Sequence, residues 1–124
     1  MNQETSFTGE CVLLGSTSTV GPATIYVRDG KVVRIVDEYL PQGATFDAGP
    51  RLLMAGVVDS HVHINQPGRT QWEGVVTASR AAASGGVTTI IDMPLNCIPS
   101  TVTVDAYEQK RESFADGMWV DVGT

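Results

Sequence analysis

The stretch that decides the fold runs from Gly56 to Pro94 and reads GVVDSHVHINQPGRTQWEGVVTASRAAASGGVTTIIDMP. It holds an apolar run at 57–64, a segment with helical spacing at 70–86 and a second apolar run at 87–94. A nearly continuous apolar run is typical of a strand that is covered on both faces, as in parallel sheets. We therefore predict a strand, a helix and a second strand in this order.

The pattern continues to the end of the sequence. A second helix is predicted over 103–116, with a third strand over 118–123. Crossovers of this length join adjacent parallel strands with right-handed connections. A three-stranded parallel sheet with two helices leaves one edge open, so we expect the beginning of a larger α/β domain.

Each of the two predicted helices carries a stripe of residues along one side. The first is expected to begin at Thr70, which forms a capping box with Glu73, and to end at Gly85 and Gly86. At helical spacing, one stripe of the first helix contains Trp72, Val75, Val76, Ala82 and Ala83, and one side of the second contains Val104, Tyr107, Arg111 and Phe114.

Residues before Gly56 have the composition of strands and turns. Two β-rich runs flank Asp29-Gly30, and an Asp-Gly pair in this position is a strong hairpin signal because both residues adopt positive φ readily. We predict a β-hairpin centred on this pair.

Composition restricts the possible functions. The 124 residues carry 8 basic and 14 acidic side chains, a net charge of −6, with no run of Lys or Arg. This balance argues against a nucleic-acid or anionic-membrane surface. Cys11 and Cys97 lie far apart, which favours free thiols in a reducing compartment. No signal peptide or membrane span is evident, so we expect a cytoplasmic location.

The only two histidines, His61 and His63, lie one residue apart at the end of the first apolar run. On a strand they share one face with Asp59. Two imidazoles side by side can bind one divalent metal, and a nearby carboxylate such as Asp59 can orient one of them. The alternative is a strand-end pair that only makes hydrogen bonds. A catalytic zinc needs about three protein ligands, so this pair alone is an incomplete site.

Asp92 and Cys97 are further ligand candidates only if they converge on the histidines. For Asp92 we favour a buried, hydrogen-bonded residue at a strand end, and for Cys97 a packing thiol.

Two motifs, GVVDSHVHINQPGR and ASGGVTTIIDMPLNCIPST, together resemble the opening of the metal-dependent cyclic amidohydrolases. That family includes allantoinases, dihydroorotases and hydantoinases, and the pattern is most similar to the allantoinases. Dihydroorotases typically carry an arginine two residues after the second histidine, where this chain has Asn65. Ala55 also departs from the family, which usually has proline there.

The resemblance implies a small β-domain over residues 1–55, part of a β-sandwich, followed by a truncated TIM-type barrel over 56–124. It implies that His61 and His63 hold the first of two metals, usually zinc. The other family ligands are a carbamylated lysine, two more histidines and an aspartate, which come from later strands. Asn96 and Asn65 would bind substrate, although each also suits a loop. Arg69 suits an anionic group or a solvent-exposed loop.

Three function hypotheses follow. The first is a hydrolase that opens a small polar cyclic amide, the hydantoin ring of allantoin giving allantoate, in an enzyme expected to be a homo-oligomer and inactive as these 124 residues alone. Dihydropyrimidines, hydantoins and dihydroorotate are alternative substrates. The second is a truncated or non-catalytic module with a structural or interaction role. A weaker third is a small binding protein that completes its site by pairing through the open strand edge.

Overall fold

A computed structural model describes residues 4–15, 18–115 and 117–124. The chain divides into two compact units, Met1–Ala55 and Gly56–Thr124. In the described part of the chain, no helix has both the length and the apolar character needed to cross a membrane.

The first unit contains one five-stranded sheet. Its strands are β1 (Thr5–Leu14), β2 (Thr19–Arg28), β3 (Lys31–Val36), β4 (Phe46–Asp47) and β5 (Leu52–Leu53). The first three strands form an antiparallel meander, and the short β4 and β5 both pair in parallel with β1. That this sheet is part of a β-sandwich stays a prediction.

The predicted hairpin at Asp29-Gly30 is confirmed. The two residues connect β2 to β3 and have φ values of 52° and 72°. Both values lie in the left-handed region that a two-residue hairpin turn of this kind requires.

The second unit contains the predicted β-α-β-α-β order. Its elements are β6 (Val57–Val62), α1 (Val75–Ser84), β7 (Val87–Asp92), α2 (Val104–Glu112) and β8 (Asp121–Gly123). The three strands form a parallel sheet in the order β6-β7-β8. Ile64, Val75 and Ile90 are the buried residues of its core. The predicted α/β fold with adjacent parallel strands is confirmed.

The predicted start of α1 is wrong by five residues. The helix begins at Val75 rather than Thr70, and Thr70 with Glu73 does not form the expected capping box. The first turn is held from elsewhere, because the Gln66 side chain accepts a hydrogen bond from the Val75 amide at 3.2 Å.

The apolar stripe of α1 is only partly buried. Trp72 precedes the helix and is exposed, and Val76 is exposed on its outer side. The fully buried residues are Val75 and Ser79. Because the helix begins later than predicted, Trp72 lies outside it. The most tightly packed side of the helix contains Ser79.

The buried side of α2 differs from the side that carries Val104 and Tyr107. Thr103 caps the helix through its hydroxyl, which accepts from the Ala106 amide at 3.2 Å. Val104 is exposed, whereas Ala106 and Lys110 are buried. The helix ends at Glu112 rather than 116, and Asp116 itself lies outside the described residues. A hydrophobic pattern could not place a charged lysine inside, because its burial depends on a partner from another element.

Candidate functional site

The two histidines lie together at the end of β6. The ring centroids of His61 and His63 are 5.1 Å apart, and the ring planes meet at 88°. Both side chains are exposed, whereas the neighbouring Val62 is half-buried and Ile64 is buried. The alternation of a strand therefore brings both imidazoles to the same exposed side.

The orientation of His63 is fixed by the main chain. Its Nδ1 lies 2.8 Å from the carbonyl oxygen of Met93, the residue that follows β7. A carbonyl only accepts hydrogen bonds, so Nδ1 is the donor in this contact, and in the neutral ring Nε2 is then the nitrogen with the lone pair. A neutral imidazole in this tautomer is ready to ligate a cation through Nε2.

Asp59 contacts the histidine pair in a different way from that expected. Its Oδ1 accepts a hydrogen bond from the backbone amide of His61 at 3.2 Å. The carboxylate therefore supports the main chain at His61, and the group that orients a ring is the Met93 carbonyl. Sequence reasoning missed Met93 because any residue supplies a carbonyl.

Asp92 and Cys97 are buried beneath the loop that follows the histidines, as interpreted from the sequence. Asp92 Oδ1 accepts from the Ile64 amide at 2.7 Å, and Cys97 Sγ lies 3.5 Å from the carbonyl oxygens of Ile64 and Gln66. Across residues 4–15, 18–115 and 117–124, no group of three or more His, Cys, Asp or Glu side chains is arranged to hold a metal.

The two candidate asparagines lie in neighbouring loops. Asn65 is buried, and its backbone amide donates to the Glu73 carbonyl at 2.9 Å. Its side-chain oxygen is buried and makes no hydrogen bond within the described part of the chain. Asn96 is half-buried in the loop after β7. Arg69 lies with its guanidinium 4.7 Å from the centroid of the Trp72 ring.

Gly68 brings these two loops into direct contact. Its φ is +93°, and a Cβ at this position would lie 2.5 Å from the Cβ of Ile98. The Ile98 amide also donates to the Pro67 carbonyl at 3.0 Å. No side chain fits between the loops, so the loop carrying Asn96 packs against the loop that follows the histidines.

Lys110 is a second residue near this site that sequence reasoning missed. Its Nζ lies 2.7 Å from Asp92 Oδ2, and both side chains are fully buried. Two features of the sequence could have indicated this pair. Asp92 is a carboxylate at a strand end with no assigned partner, and Lys110 lies four residues after Ala106 on the same helix face.

Comparison with known proteins places this geometry in a family. The model of the amidohydrolase family matches residues 52–120. An allantoinase of Streptomyces avermitilis is 50% identical over 105 residues, which cover 82% of this chain and 24% of that protein. An allantoinase of Saccharomyces cerevisiae is 53% identical over 77 residues, 62% of this chain and 17% of that protein.

A solved structure shows the same likeness. The L-hydantoinase (dihydropyrimidinase) from Arthrobacter aurescens superposes with a TM-score of 0.75 at 32% identity, over 98% of this chain and 27% of that one. The chain thus spans about a quarter of the length of the Streptomyces allantoinase and of the Arthrobacter hydantoinase. Its parallel β-α-β-α-β unit and its extended match to the family model lead to one conclusion: this chain belongs to the amidohydrolase family.

Proposed function

We propose that the complete protein is a cyclic amidohydrolase that opens the hydantoin ring of allantoin to give allantoate. The observation that carries this proposal is the pair of adjacent imidazoles at the exposed end of β6, one of them with its Nδ1 bound to the Met93 carbonyl. The likeness to proteins named allantoinase at 50% and 53% identity supports the choice of substrate.

The donor set fits a divalent metal, for which we propose zinc. His61 and His63 would supply two imidazole nitrogens, and neutral imidazole is a common zinc ligand. The remaining ligands of a one- or two-metal site would come from residues other than those described. When bound, such a metal lowers the pKa of a coordinated water and polarises the substrate carbonyl.

The chain's own residues then have two tasks. The Met93 carbonyl holds the His63 ring, and Asp59 supports the main chain at His61, so the pair is oriented before a metal arrives. Asn96 and Asn65 are proposed to bind the small polar substrate. The half-buried Asn96 offers an amide group at the loop surface, and Asn65 carries an unused buried acceptor oxygen.

The setting of the reaction is part of the proposal. Cys11 and Cys97 are both free thiols, which fits a reducing compartment such as the cytoplasm. We propose a homo-oligomeric enzyme there, acting on a small molecule.

The first prediction tests the metal role of the histidines. In the complete protein, His61→Ala should remove a metal ligand, lower the bound zinc and reduce allantoin hydrolysis to background. Zinc content by elemental analysis and allantoate production measure both effects. Arg111→Ala is the matched control, because Arg111 is an exposed residue paired with Glu108 on the surface of α2.

Full zinc content together with a normal rate in the His61→Ala protein would overturn the ligand role. Assaying dihydropyrimidine, hydantoin and dihydroorotate beside allantoin tests the substrate. Faster turnover of one of these would reject allantoin and keep the cyclic amidohydrolase chemistry.

A further inference from the structure

Lys110 places a charged ammonium group in the interior of the second unit. Its side chain has no exposed surface, and the same holds for the carboxylate of Asp92 beside it. Removing a charge from water is costly unless hydrogen bonds and an opposite charge replace the water. The contacts of this ammonium group therefore indicate its role.

The ammonium group has four close neighbours: the Asp92 carboxylate forms an ion pair with it, and two carbonyl oxygens and the Cys97 thiol accept its hydrogen bonds. Nζ lies 2.7 Å from Asp92 Oδ2, 2.5 Å from the carbonyl oxygen of Ile64 and 2.8 Å from that of Gln66. Cys97 Sγ is a further neighbour at 3.3 Å. We call these five residues the Lys110 cluster. Because an ammonium group has three donors, Lys110 has none left for a metal or a substrate.

The Lys110 cluster fixes the peptide groups directly after His63. Ile64 donates its amide to Asp92 at 2.7 Å and offers its carbonyl to Lys110 at 2.5 Å. Both main-chain groups of the residue following the candidate ligand are thus held by one buried ion pair. Apolar side chains of the same size would fill the space but would leave these buried main-chain groups without partners.

The same cluster also borders the group that orients the His63 ring. Met93 directly follows Asp92, and its carbonyl lies 2.8 Å from His63 Nδ1. Asp92 is therefore linked to His63 in two ways. It holds the main chain at Ile64 through its side chain, and it carries the ring partner Met93 as its neighbour in sequence.

We propose that Lys110 is a positioning residue: through Asp92 and the Ile64 and Gln66 carbonyls, it sets the His63 imidazole for metal binding. This inference rests on the proposed function, in which His63 is a ligand. Lys110 is not a catalytic residue, since its protons are all used within the Lys110 cluster. Its effect is to hold one ligand in place before the metal binds.

The test compares Lys110→Met with the control Arg111→Met in the complete protein. Methionine keeps the length of the side chain and removes the charge and the three donors. We expect zinc affinity, measured by competition with a chelator, to fall about 10- to 100-fold, as when an outer-shell partner of a metal ligand is removed. Arg111→Met, one residue away on the exposed side of α2, should bind zinc as the unmodified protein does.

A second measurement needs no metal. Nitrogen-15 NMR of the metal-free protein reports which ring nitrogen of His63 carries the proton. In Lys110→Met the single Nδ1–H tautomer should give way to a mixture of tautomers. Unchanged His63 signals and unchanged zinc affinity in a folded Lys110→Met protein would overturn the inference, because a merely structural lysine would lower stability alone.

If Lys110→Met does not fold, the double variant Asp92→Asn/Lys110→Met keeps the test open. It removes both charges together and retains a side-chain oxygen for the Ile64 amide. The same fall in zinc affinity is expected, and zinc affinity equal to that of the unmodified protein would reject the inference. His63→Ala separates the two proposals. If His63→Ala binds zinc normally, the proposed function fails. If His63→Ala loses zinc while the Lys110 variants bind it normally, only the positioning role fails.

Discussion

Both units of this protein contain a buried polar cluster that holds the chain segment following a strand, and the two clusters differ in their chemistry. In the first unit, Thr8 and Thr24 face each other across β1 and β2 with their hydroxyl oxygens 2.7 Å apart. Both accept from the Leu40 amide, at 3.0 and 3.2 Å. This threonine cluster holds the segment after β3, as the Lys110 cluster holds the segment after β6.

The difference between the clusters is charge. A hydroxyl both donates and accepts, so the threonine cluster satisfies its neighbours without an ion. The Lys110 cluster buries two opposite charges, and each is tolerated only because the other is present. We therefore expect the charged cluster to be the more sensitive of the two to a single substitution.

The largest expected effect comes from breaking the ion pair. Lys110→Met leaves the Asp92 carboxylate buried without its partner, which costs about 3–5 kcal/mol for pairs of this kind. Hydrogen exchange at the Ile64 amide should accelerate strongly, while exchange at the Leu40 amide in the other unit stays unchanged. Asp92→Asn/Lys110→Met should recover part of the loss, and a double variant as unstable as the single one would contradict the ion-pair explanation.

A smaller effect is expected in the threonine cluster. Thr24→Val removes the hydroxyl that donates to the Glu38 carbonyl at 2.8 Å and leaves Leu40 with Thr8 alone. Leaving a buried neutral group unsatisfied costs about 1–3 kcal/mol. Chemical unfolding and exchange at Leu40 measure this loss, and Thr24→Ser, which keeps the hydroxyl, is the control. A loss as large as that of Lys110→Met would remove the proposed contrast between neutral and charged clusters.

The smallest effect concerns a polar pair nearer the surface. Partial burial of Tyr39, together with its hydrogen bond to the Asp47 carboxylate at 3.0 Å, raises the pKa of the Tyr39 phenol above its ordinary value. The folded state therefore favours the protonated phenol. Tyr39 therefore contributes fully to the free energy of unfolding below the phenol pKa of the unfolded chain. This contribution is lost as pH rises through the raised pKa of the folded state.

Asp47→Asn should accordingly lower the pKa of Tyr39 toward its ordinary value. Ultraviolet titration of the phenolate measures the shift, and Tyr39→Phe identifies which of the three tyrosines is responsible. An unchanged titration in Asp47→Asn would show that the carboxylate does not act on this phenol.

Local signals in the sequence predicted what depends on near neighbours. The Asp29-Gly30 turn, the order of strands and helices after Gly56 and the shared side of His61 and His63 all follow from backbone preferences or from the two-residue repeat of a strand. Their physical causes act within a few residues, so the sequence alone contains them.

The helix starts and buried faces required contacts between distant residues. Gln66 caps α1 from outside the helix, so its first residue was misplaced. Lys110 is buried because Asp92, 18 positions earlier, supplies the opposite charge. The interpretation of Asp92 as buried and hydrogen-bonded was right, but its partners were not deducible.

By itself, the sequence determined a parallel β-α-β-α-β unit with two imidazoles at one strand end, because strand parity and apolar patterning are local. Only the tertiary structure decided what holds those imidazoles: the Met93 carbonyl on the ring of His63 and the Lys110 cluster on the peptide after it. The reason is that a main-chain carbonyl or a buried charge can pair with many groups, so the local sequence does not specify its partner. Its partner is set by which chain segments the completed sheet brings within hydrogen-bonding distance.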